Sequence, residues 1–276
     1  MKKIIVPIDF SDCSKNALNN AILVAERMGM ELVLLHTFML PVATTDGTPL
    51  VVGSMIDDLQ EASEANMADF IKKNKELKRV PYHTEILAGL LLHGLNDALE
   101  KHDAAFVIMG THGASGLKKT FIGSNAYTVI KNVECPVIAL PEDADITKMK
   151  RIAMSGDYKH RPAAHSIEPV ITLTKAFFAH LYIIHIDQDK DLEHDEIEIA
   201  KSLEQYLKKV SHSFHFKRDY DVEDGLLAFA KEENIDLLVM ISRHHSLIDR
   251  IARGSETKRL VMDIPMPLMI MPEWIT

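Results

Sequence analysis

The sequence has little cysteine and no long hydrophobic segment. Cys13 and Cys135 are its two cysteines among 276 residues, which is too few for a disulfide framework. No uninterrupted apolar run approaches the roughly 20 residues that a membrane-spanning helix needs. Asp9 and Asp12 interrupt the apolar run near the N-terminus, so we expect no signal peptide. These absences predict a cytoplasmic protein without a membrane partner.

Positive charge is also scarce. The chain has 31 Lys and Arg residues against 40 Asp and Glu residues, a formal net charge of −9, and no basic stretch is interleaved with aromatic residues. Proteins that bind nucleic acids usually cluster positive charge on one face, so we expect no nucleic-acid partner. The densest basic stretch, residues 72–79, lies at the end of a predicted helix, where cations complement the helix dipole.

Motifs of several enzyme and metal-site classes are missing as well. The sequence has no Gly-x-Ser-x-Gly nucleophile elbow, no His-Glu-x-x-His motif and no Cys-x2-Cys pair. Its 14 histidines leave open a zinc site that joins His212 and His215 to His244 and His245. Residues three apart do not share a strand face, however, so we predict no metal site. Since the enzyme motifs are missing, we also predict no catalytic residue.

Cys13 leaves another alternative open. It lies near the start of a predicted helix, where the pKa of a thiol can fall and redox chemistry becomes possible. A small buried side chain is the ordinary interpretation of such a cysteine.

Short apolar runs alternate with amphipathic segments along the chain. In the first half, strands are predicted at residues 3–8, 32–36, 83–87, 104–109 and 136–140, and helices at residues 11–28, 55–75, 90–101 and 124–132. Gly29 is placed to end the first helix. Such alternation predicts a parallel sheet with helices on both faces.

The second half repeats the pattern of the first. Four segments recur in the same order: residues 3–9 match 151–157, 32–36 match 181–185, 103–109 match 236–241, and 135–141 match 266–272. We therefore predict two tandem α/β domains, at residues 1–141 and 150–276, joined by a linker at residues 142–149. Each is expected to be flavodoxin-like or Rossmann-like, with a five-stranded parallel sheet in the order 3-2-1-4-5 and helices on both faces.

A glycine-rich segment follows the fourth predicted strand. It reads Gly110-Thr111-His112-Gly113, and after nine further residues comes Gly123-Ser124. Backbone N–H groups of a glycine-rich turn between a strand and a helix can converge on a phosphate. The segment lacks both the Gly-Lys-Ser/Thr ending of a P-loop and the glycine spacing of the dinucleotide fingerprint.

Asp9 ends the first predicted strand and would face this segment. In open parallel sheets, ligands bind outside the carboxyl ends of the strands, where the strand order reverses. There Asp9 could accept a hydrogen bond from a base or a ribose, or hold a divalent cation beside phosphates. The alternative is that Asp9 caps the following helix.

The spacing Gly110-x2-Gly113-x9-Gly123-Ser124 resembles the G-x2-G-x9-G-S/T motif of the ATP-binding branch of the universal stress protein family. Residues 4–11, 34–36 and 135–137 are also similar to strand segments of that family. The resemblance implies an ATP-binding stress-response regulatory protein with little or no catalysis. It also implies pairing through the fifth strands, either as a homodimer or between the two domains of one chain.

The resemblance assigns roles to particular residues. Pro7, Ile8 and Asp9 would line the adenosine side, and Thr37 would contact the base or the ribose. Met109 and Gly110 begin the phosphate loop, and the phosphates would be held by Gly113, Gly123, Ser124 and Asn125, with His112 beside them. The implied cofactor is ATP, and the divalent cation that Asp9 could hold beside the phosphates would be Mg²⁺. Lys118 and Lys119 could add positive charge, although solvated loop lysines are the ordinary interpretation.

Two alternatives stay open. A slow ATPase could use the same pocket, and His112 is the evident candidate for its general base. A scaffold protein could carry a vestigial site. The second half departs from the motif, because Ser242 and His245 stand where the first half has Gly110 and Gly113, and eight residues rather than nine precede Gly254-Ser255. We therefore expect one ATP site per chain, in residues 1–141.

Overall fold

A computed structural model describes residues 1–40, 43–45, 48–50, 53–112, 123–156, 164–187, 194–219, 222–242 and 266–272. Strands and helices alternate in both halves, as predicted. The first half contains β1 Lys3–Pro7, α1 Asp12–Met28, β2 Glu31–Phe38, β3 Ala43–Thr45, β4 Thr48–Leu50, α2 Gly53–Lys73, a 3₁₀ helix Lys75–Arg79, β5 Tyr82–Ala88, α3 Leu91–Lys101, β6 Ala104–Gly110, α4 Ser124–Asn132 and β7 Val137–Leu140. The second half contains β8 Arg151–Ser155, α5 Ala164–Phe177, β9 His180–Asp187, α6 His194–Leu207, β10 Ser211–Arg218, α7 Val222–Glu232, β11 Leu237–Ser242 and β12 Leu268–Pro272.

Ten strands form one sheet in the order β10-β9-β8-β11-β12-β7-β6-β1-β2-β5. Within each half of this ten-stranded sheet all pairs are parallel. The order of each half is 3-2-1-4-5, which confirms the predicted fold class. The two halves meet at their fifth strands. There β7 and β12 pair antiparallel, with Ile138 opposite Met269. The fifth strands therefore pair within the chain.

The inner strands of the sheet are largely buried, which explains their nearly continuous apolar sequences. The edge strands β5 and β10 are more polar and partly exposed. One buried cluster includes Leu18 of α1, Ile138 of β7 and Ile171 of α5, so it continues from one half into the other. The second cluster, on the opposite face, includes Leu95 of α3 and Phe229 of α7. Helices thus cover both faces of the sheet, as the alternation predicts.

The first helix has the ends that its sequence predicts. Ser11 is the N-cap, and its Oγ accepts a hydrogen bond of 3.1 Å from the Ser14 N–H. Gly29 ends the helix with φ +63°, a left-handed conformation that costs glycine little. Both ends of α1 therefore satisfy backbone groups that would otherwise lack partners.

Residues that follow β7 are tied to α1. The Asn20 side chain donates to the Ala144 carbonyl at 3.1 Å and accepts from the Ile146 N–H at 3.0 Å. Ile146 and Met149 are buried, with 2% and 1% of their surface exposed. The segment predicted as an acidic, turn-prone linker is therefore packed against the first half.

The turn-rich segment around residues 41–50 contains a hairpin that we did not predict. Strands β3 and β4 pair antiparallel, with Thr45 opposite Thr48. Asp46-Gly47 stands between them in the sequence, and an Asp-Gly pair is a strong signal for a two-residue hairpin. That signal was available in the sequence.

Among the helices in the described ranges, none has the length and apolar character to cross a membrane.

Gly110 packs closely against the first turn of α1. A Cβ atom on Gly110 would lie 2.6 Å from Cys13 Sγ and 3.1 Å from the backbone C and O of Cys13. Side-chain atoms do not approach that closely, so the strand can meet the helix here because residue 110 is glycine. This glycine therefore has a packing role as well as its predicted place in the phosphate loop.

We expect Gly110→Ala to lower the free energy of unfolding by about 1–3 kcal/mol, because the added methyl group overpacks the contact with Cys13. Urea denaturation measures this change. In a Cys13→Ala background the Sγ atom is absent, so Gly110→Ala should lower the free energy of unfolding by less. An equal cost in both backgrounds would contradict the packing explanation.

Candidate functional site

The structure brings ten of the eleven predicted site residues together around one cavity of about 150 Å³. The cavity lies at the carboxyl ends of β1 and β6, where the strand order of the first half reverses. Its predicted lining residues are Pro7, Ile8, Asp9, Thr37, Met109, Gly110, His112, Gly123, Ser124 and Asn125. Gly113, Lys118 and Lys119 lie outside the described residues. The contact of these residues with a nucleotide stays a prediction.

Four further residues line the same cavity: Ser14, Leu91, Thr111 and Ala126. The sequence analysis missed them. Ser14 and Leu91 belong to the first turns of α1 and α3, the helices that follow β1 and β5. In a parallel sheet such first turns stand at the carboxyl ends of the strands, so their position was a usable signal.

Asp9 is exposed at the rim of the cavity and does not cap the helix. Its Oδ1 accepts hydrogen bonds from the Ser11 N–H at 3.1 Å and from the Ser11 hydroxyl at 2.5 Å. Ser11, rather than Asp9, caps α1. The carboxylate therefore orients the capping serine and remains at the edge of the cavity.

His36 holds the end of β1 against β2. Its Nδ1–H donates to the Ile8 carbonyl at 2.7 Å, and its ring contacts Phe10 with a centroid distance of 4.5 Å. In the second half, His185 Nδ1 makes the corresponding bond to the Gly156 carbonyl at 2.9 Å. Both histidines thus have a structural role at the end of the first strand of each half.

The start of α4 supplies hydrogen-bond donors to the cavity. Gly123 is the N-cap, and no side chain in the described part of the chain caps it. The N–H groups of Ser124, Asn125 and Ala126 are in the first turn, where an α-helix offers them no internal partner. An uncapped helix N-terminus carries partial positive charge and favours an anion.

Thr111 and His112 form the wall next to this helix start. The Gly123 N–H donates to the Thr111 carbonyl at 2.6 Å, which holds the two ends of the loop together. His112 Nδ1 lies 2.8 Å from Thr111 Oγ1. His112 Nε2 is buried, and no hydrogen-bond partner for it exists among the residues that the structure describes. Such a group is normally satisfied by a ligand or by water.

A larger cavity of about 850 Å³ lies at the opposite edge of the first half, around the starts of β1 and β6. Lys2, Ala104 and Pro136 are among its lining residues, and no predicted nucleotide-site residue is. Ligands of open α/β sheets bind at the carboxyl ends of the strands. The smaller cavity therefore has the better position for a nucleotide. The larger cavity was not predicted from the glycine motif.

Comparison with known proteins identifies the family. The family model described as "Universal stress protein family" matches residues 1–141 and 170–272. The chain belongs to the universal stress protein family. The universal stress protein MJ0531 of Methanocaldococcus jannaschii is 34% identical over 141 residues, covering 50% of this chain and 81% of the relative. Universal stress protein YxiE of Bacillus subtilis is 29% identical over 142 residues, covering 49% of this chain and 96% of the relative.

A solved structure matches this universal stress protein over both halves. The universal stress protein from Archaeoglobus fulgidus DSM 4304 superimposes with a TM-score of 0.76 at 19% sequence identity, covering 99% of this chain and 98% of that chain. At this identity the likeness concerns the fold alone. It supports the tandem arrangement of two universal stress protein units in one sheet.

The second universal stress protein unit differs at the positions that line the first cavity. A Cβ on Gly94 of α3 would lie 2.8 Å from Thr37 Cγ2, and a Cβ on Gly225 of α7 would lie 2.7 Å from Ile186 Cδ1. Ile186 thus occupies the place of Thr37, without a hydroxyl group. Ser155 ends β8 where Pro7 ends β1. His244, His245 and the segment around Gly254 lie outside the described residues.

Histidines 212 and 215 of this universal stress protein do not converge. They lie on opposite faces of β10, as residues three apart on a strand must. His212 Nδ1 bonds to the Val210 carbonyl at 3.0 Å, whereas His215 Nε2 lies 2.8 Å from Ser213 Oγ. The described residues therefore do not bring this pair into one metal site.

Neither cysteine has the lowered thiol pKa of a reactive cysteine. Burial raises the pKa of the Cys13 thiol above its ordinary value, despite backbone hydrogen bonds from His112 and Thr111. Burial raises the pKa of Cys135 to about 12. The thiolate is the reactive form of cysteine, so the redox alternative for Cys13 loses its physical basis.

We expect both thiols to react slowly with an aromatic disulfide reagent at neutral pH in the native chain. They are 3% and 5% exposed, and a raised pKa keeps each of them protonated until the pH is well above neutral. After unfolding in urea both should react quickly. Fast reaction of one thiol in the native chain would contradict this account and restore a redox role.

Proposed function

We propose that residues 1–141 of this universal stress protein bind one ATP molecule at the cavity between β1 and β6, as a regulatory ligand. The observation that carries the proposal is the convergence on one cavity of ten residues to which the family resemblance assigns roles, at the point where the strand order reverses. We also propose that the first domain ends at residue 141 and the second begins at residue 150. The same proposal places the protein in the cytoplasm, with a role in stress response.

The phosphates would be bound by the start of α4. The N–H groups of Ser124, Asn125 and Ala126 have no partner inside the helix, and the Ser124 hydroxyl stands beside them. The buried Nε2 of His112 would gain a partner from a phosphate oxygen. Because these donors are fixed by the helix and by the Gly123–Thr111 hydrogen bond, little ordering would accompany binding.

The adenosine would lie on the side of β1 and β2. Pro7 ends the first strand, Ile8 and Asp9 follow it directly, and Thr37 stands near the end of the second strand. A cavity of about 150 Å³ does not enclose a whole nucleotide, since pockets for small ligands usually measure about 300–1,000 Å³. We therefore expect the base and ribose to lie at the rim, where Asp9 and Thr37 can hydrogen-bond them.

Asp9 also fits a Mg²⁺ ion that accompanies the phosphates. Protein Mg²⁺ sites commonly use one or two carboxylates together with phosphate oxygens and water. Asp9 is exposed at the rim and already orients Ser11 through Oδ1. Asp9 would therefore be the carboxylate that holds the ion beside the phosphates.

We expect isothermal titration with Mg²⁺-ATP to give one equivalent per chain. Ser124→Ala and Asp9→Ala should each weaken binding by about 5- to 150-fold, or about 1–3 kcal/mol, because each removes a charge-assisted hydrogen bond. Ser255→Ala is the matched control, since Ser255 is the counterpart of Ser124 in the repeat. Two equivalents per chain, or equal losses in Ser124→Ala and Ser255→Ala, would contradict a single site in the first half.

Slow ATP hydrolysis is the second candidate function, and the burial of His112 Nε2 beside the proposed phosphate site favours it. A nitrogen in that position can act as a general base toward an attacking water. If the chain is an ATPase, His112→Ala should abolish hydrolysis by the purified protein while ATP still binds in a titration. Equal hydrolysis by both proteins would exclude His112 as the base.

A further inference from the structure

Two histidines and a glutamate converge at the edge of the first half that is opposite to the proposed nucleotide site. His83 and Glu85 are two apart on β5 and point to the same face of the sheet, and His102 directly follows α3. His83 Nε2 and His102 Nε2 are 3.4 Å apart, and Glu85 Oε1 lies 2.8 Å from His102 Nε2. One donor atom from each side chain falls within 4.8 Å of the other two.

We propose that His83, Glu85 and His102 bind a divalent transition-metal ion of the zinc class. In a tetrahedral zinc site with Zn–N bonds of about 2.0–2.1 Å, two ligand nitrogens stand about 3.4 Å apart. The distance between the two Nε2 atoms, 3.4 Å, already has this value. Two imidazoles and one carboxylate leave the fourth position for water or another ligand, as in zinc sites with three protein ligands.

Glu31 orients one of the imidazoles for this role. The His83 Nδ1–H donates to Glu31 Oε1 at 2.9 Å, so the neutral ring has its lone pair on Nε2, which faces His102. Metal-bound histidines usually donate their other N–H to a carboxylate or a carbonyl in this way.

Glu85 and His102 have the least exposed side chains of the cluster, with 9% and 8% of their surface exposed. Without a metal ion, Glu85 Oε1 accepts hydrogen bonds from Lys101 Nζ at 2.6 Å and from His102 Nε2 at 2.8 Å. Lys101 is 66% exposed and can move away from Glu85 at little cost.

Without a metal ion, two lysines complete the hydrogen bonds of the cluster. Lys3 Nζ donates to His102 Nδ1 at 3.2 Å, which leaves the ring proton on Nε2. When a metal ion binds Nε2, the neutral ring carries its proton on Nδ1 instead, and Lys3 loses that acceptor. Glu31 Oε2, 3.7 Å from Lys3 Nζ, is the nearby acceptor that can replace it.

The ion has access from solvent. His102 borders the cavity of about 850 Å³, together with Lys2, Glu100 and Asp103. The fourth metal ligand would point toward solvent or toward this cavity. Since Lys3, Glu31 and His83 stand at or near the starts of their strands, this site is separate from the proposed nucleotide site at the strand ends, and it does not depend on ATP binding.

The test uses the full chain, first stripped of metal by a chelator, with Zn²⁺ and Co²⁺ as probes. His83→Gln and His102→Asn should each lose one equivalent of tightly bound Zn²⁺ relative to the unchanged chain. They should also lose the visible absorption of four-coordinate Co²⁺. His93→Gln is the matched control, because His93 is an exposed histidine on α3 outside the cluster. It should keep the full stoichiometry.

Glu31→Gln provides a graded readout. It leaves all three ligands in place but weakens the orienting hydrogen bond, so we expect Zn²⁺ affinity to fall about 10- to 100-fold with unchanged stoichiometry. A histidine that serves packing alone would not produce this dependence on Glu31. An unchanged affinity in Glu31→Gln would overturn the assigned arrangement.

The proposal fails if the unchanged chain binds no Zn²⁺, or if His83→Gln binds as many equivalents with the same affinity. His83→Gln decides the question even where His102→Asn does not fold, because the His83 side chain is 31% exposed and glutamine preserves much of its volume. Circular dichroism confirms that each variant is folded before the metal titration.

Discussion

The antiparallel hydrogen bonds between β7 and β12 are the contact on which the rest of the molecule depends. They turn two five-stranded sheets into one sheet of ten strands, and they remove the fifth-strand edges that would otherwise be open to pairing with another chain. The same join lets one hydrophobic cluster run from α1 to α5 across both halves. Arg27 of α1 stacks over Phe177 of α5 at 4.3 Å, next to this shared core.

The proposed nucleotide site and the proposed metal site occupy opposite ends of the same parallel strands. The carboxyl ends present an uncapped helix start and a buried imidazole nitrogen, which suit an anion. The amino ends present two imidazoles and two carboxylates, which suit a cation. The first half can therefore take charged ligands of both signs, on edges separated by the buried core.

Periodicity predicts most of the fold, because buried parallel strands and amphipathic helices have distinct patterns. The family resemblance that the glycine spacing carries predicts the residues that meet around the cavity at the carboxyl ends. Three features depended on contacts that no pattern encodes. Ser11 rather than Asp9 reaches the helix N-terminus, burial rather than the helix start controls the pKa of Cys13, and His83 and His102 are 19 residues apart along the chain. The hairpin at residues 43–50 was a missed signal.

The bonds from Asn16 and Asn20 to the segment after β7 have a mechanical consequence. Asn16 donates to the Pro141 and Ala144 carbonyls, and Asn20 holds Ala144 and Ile146. Because these hydrogen bonds hold the connecting segment to α1 and the two halves share one sheet, the described connection gives no hinge for a movement of one half against the other. A ligand in the first half would thus not act by closing the two halves upon it.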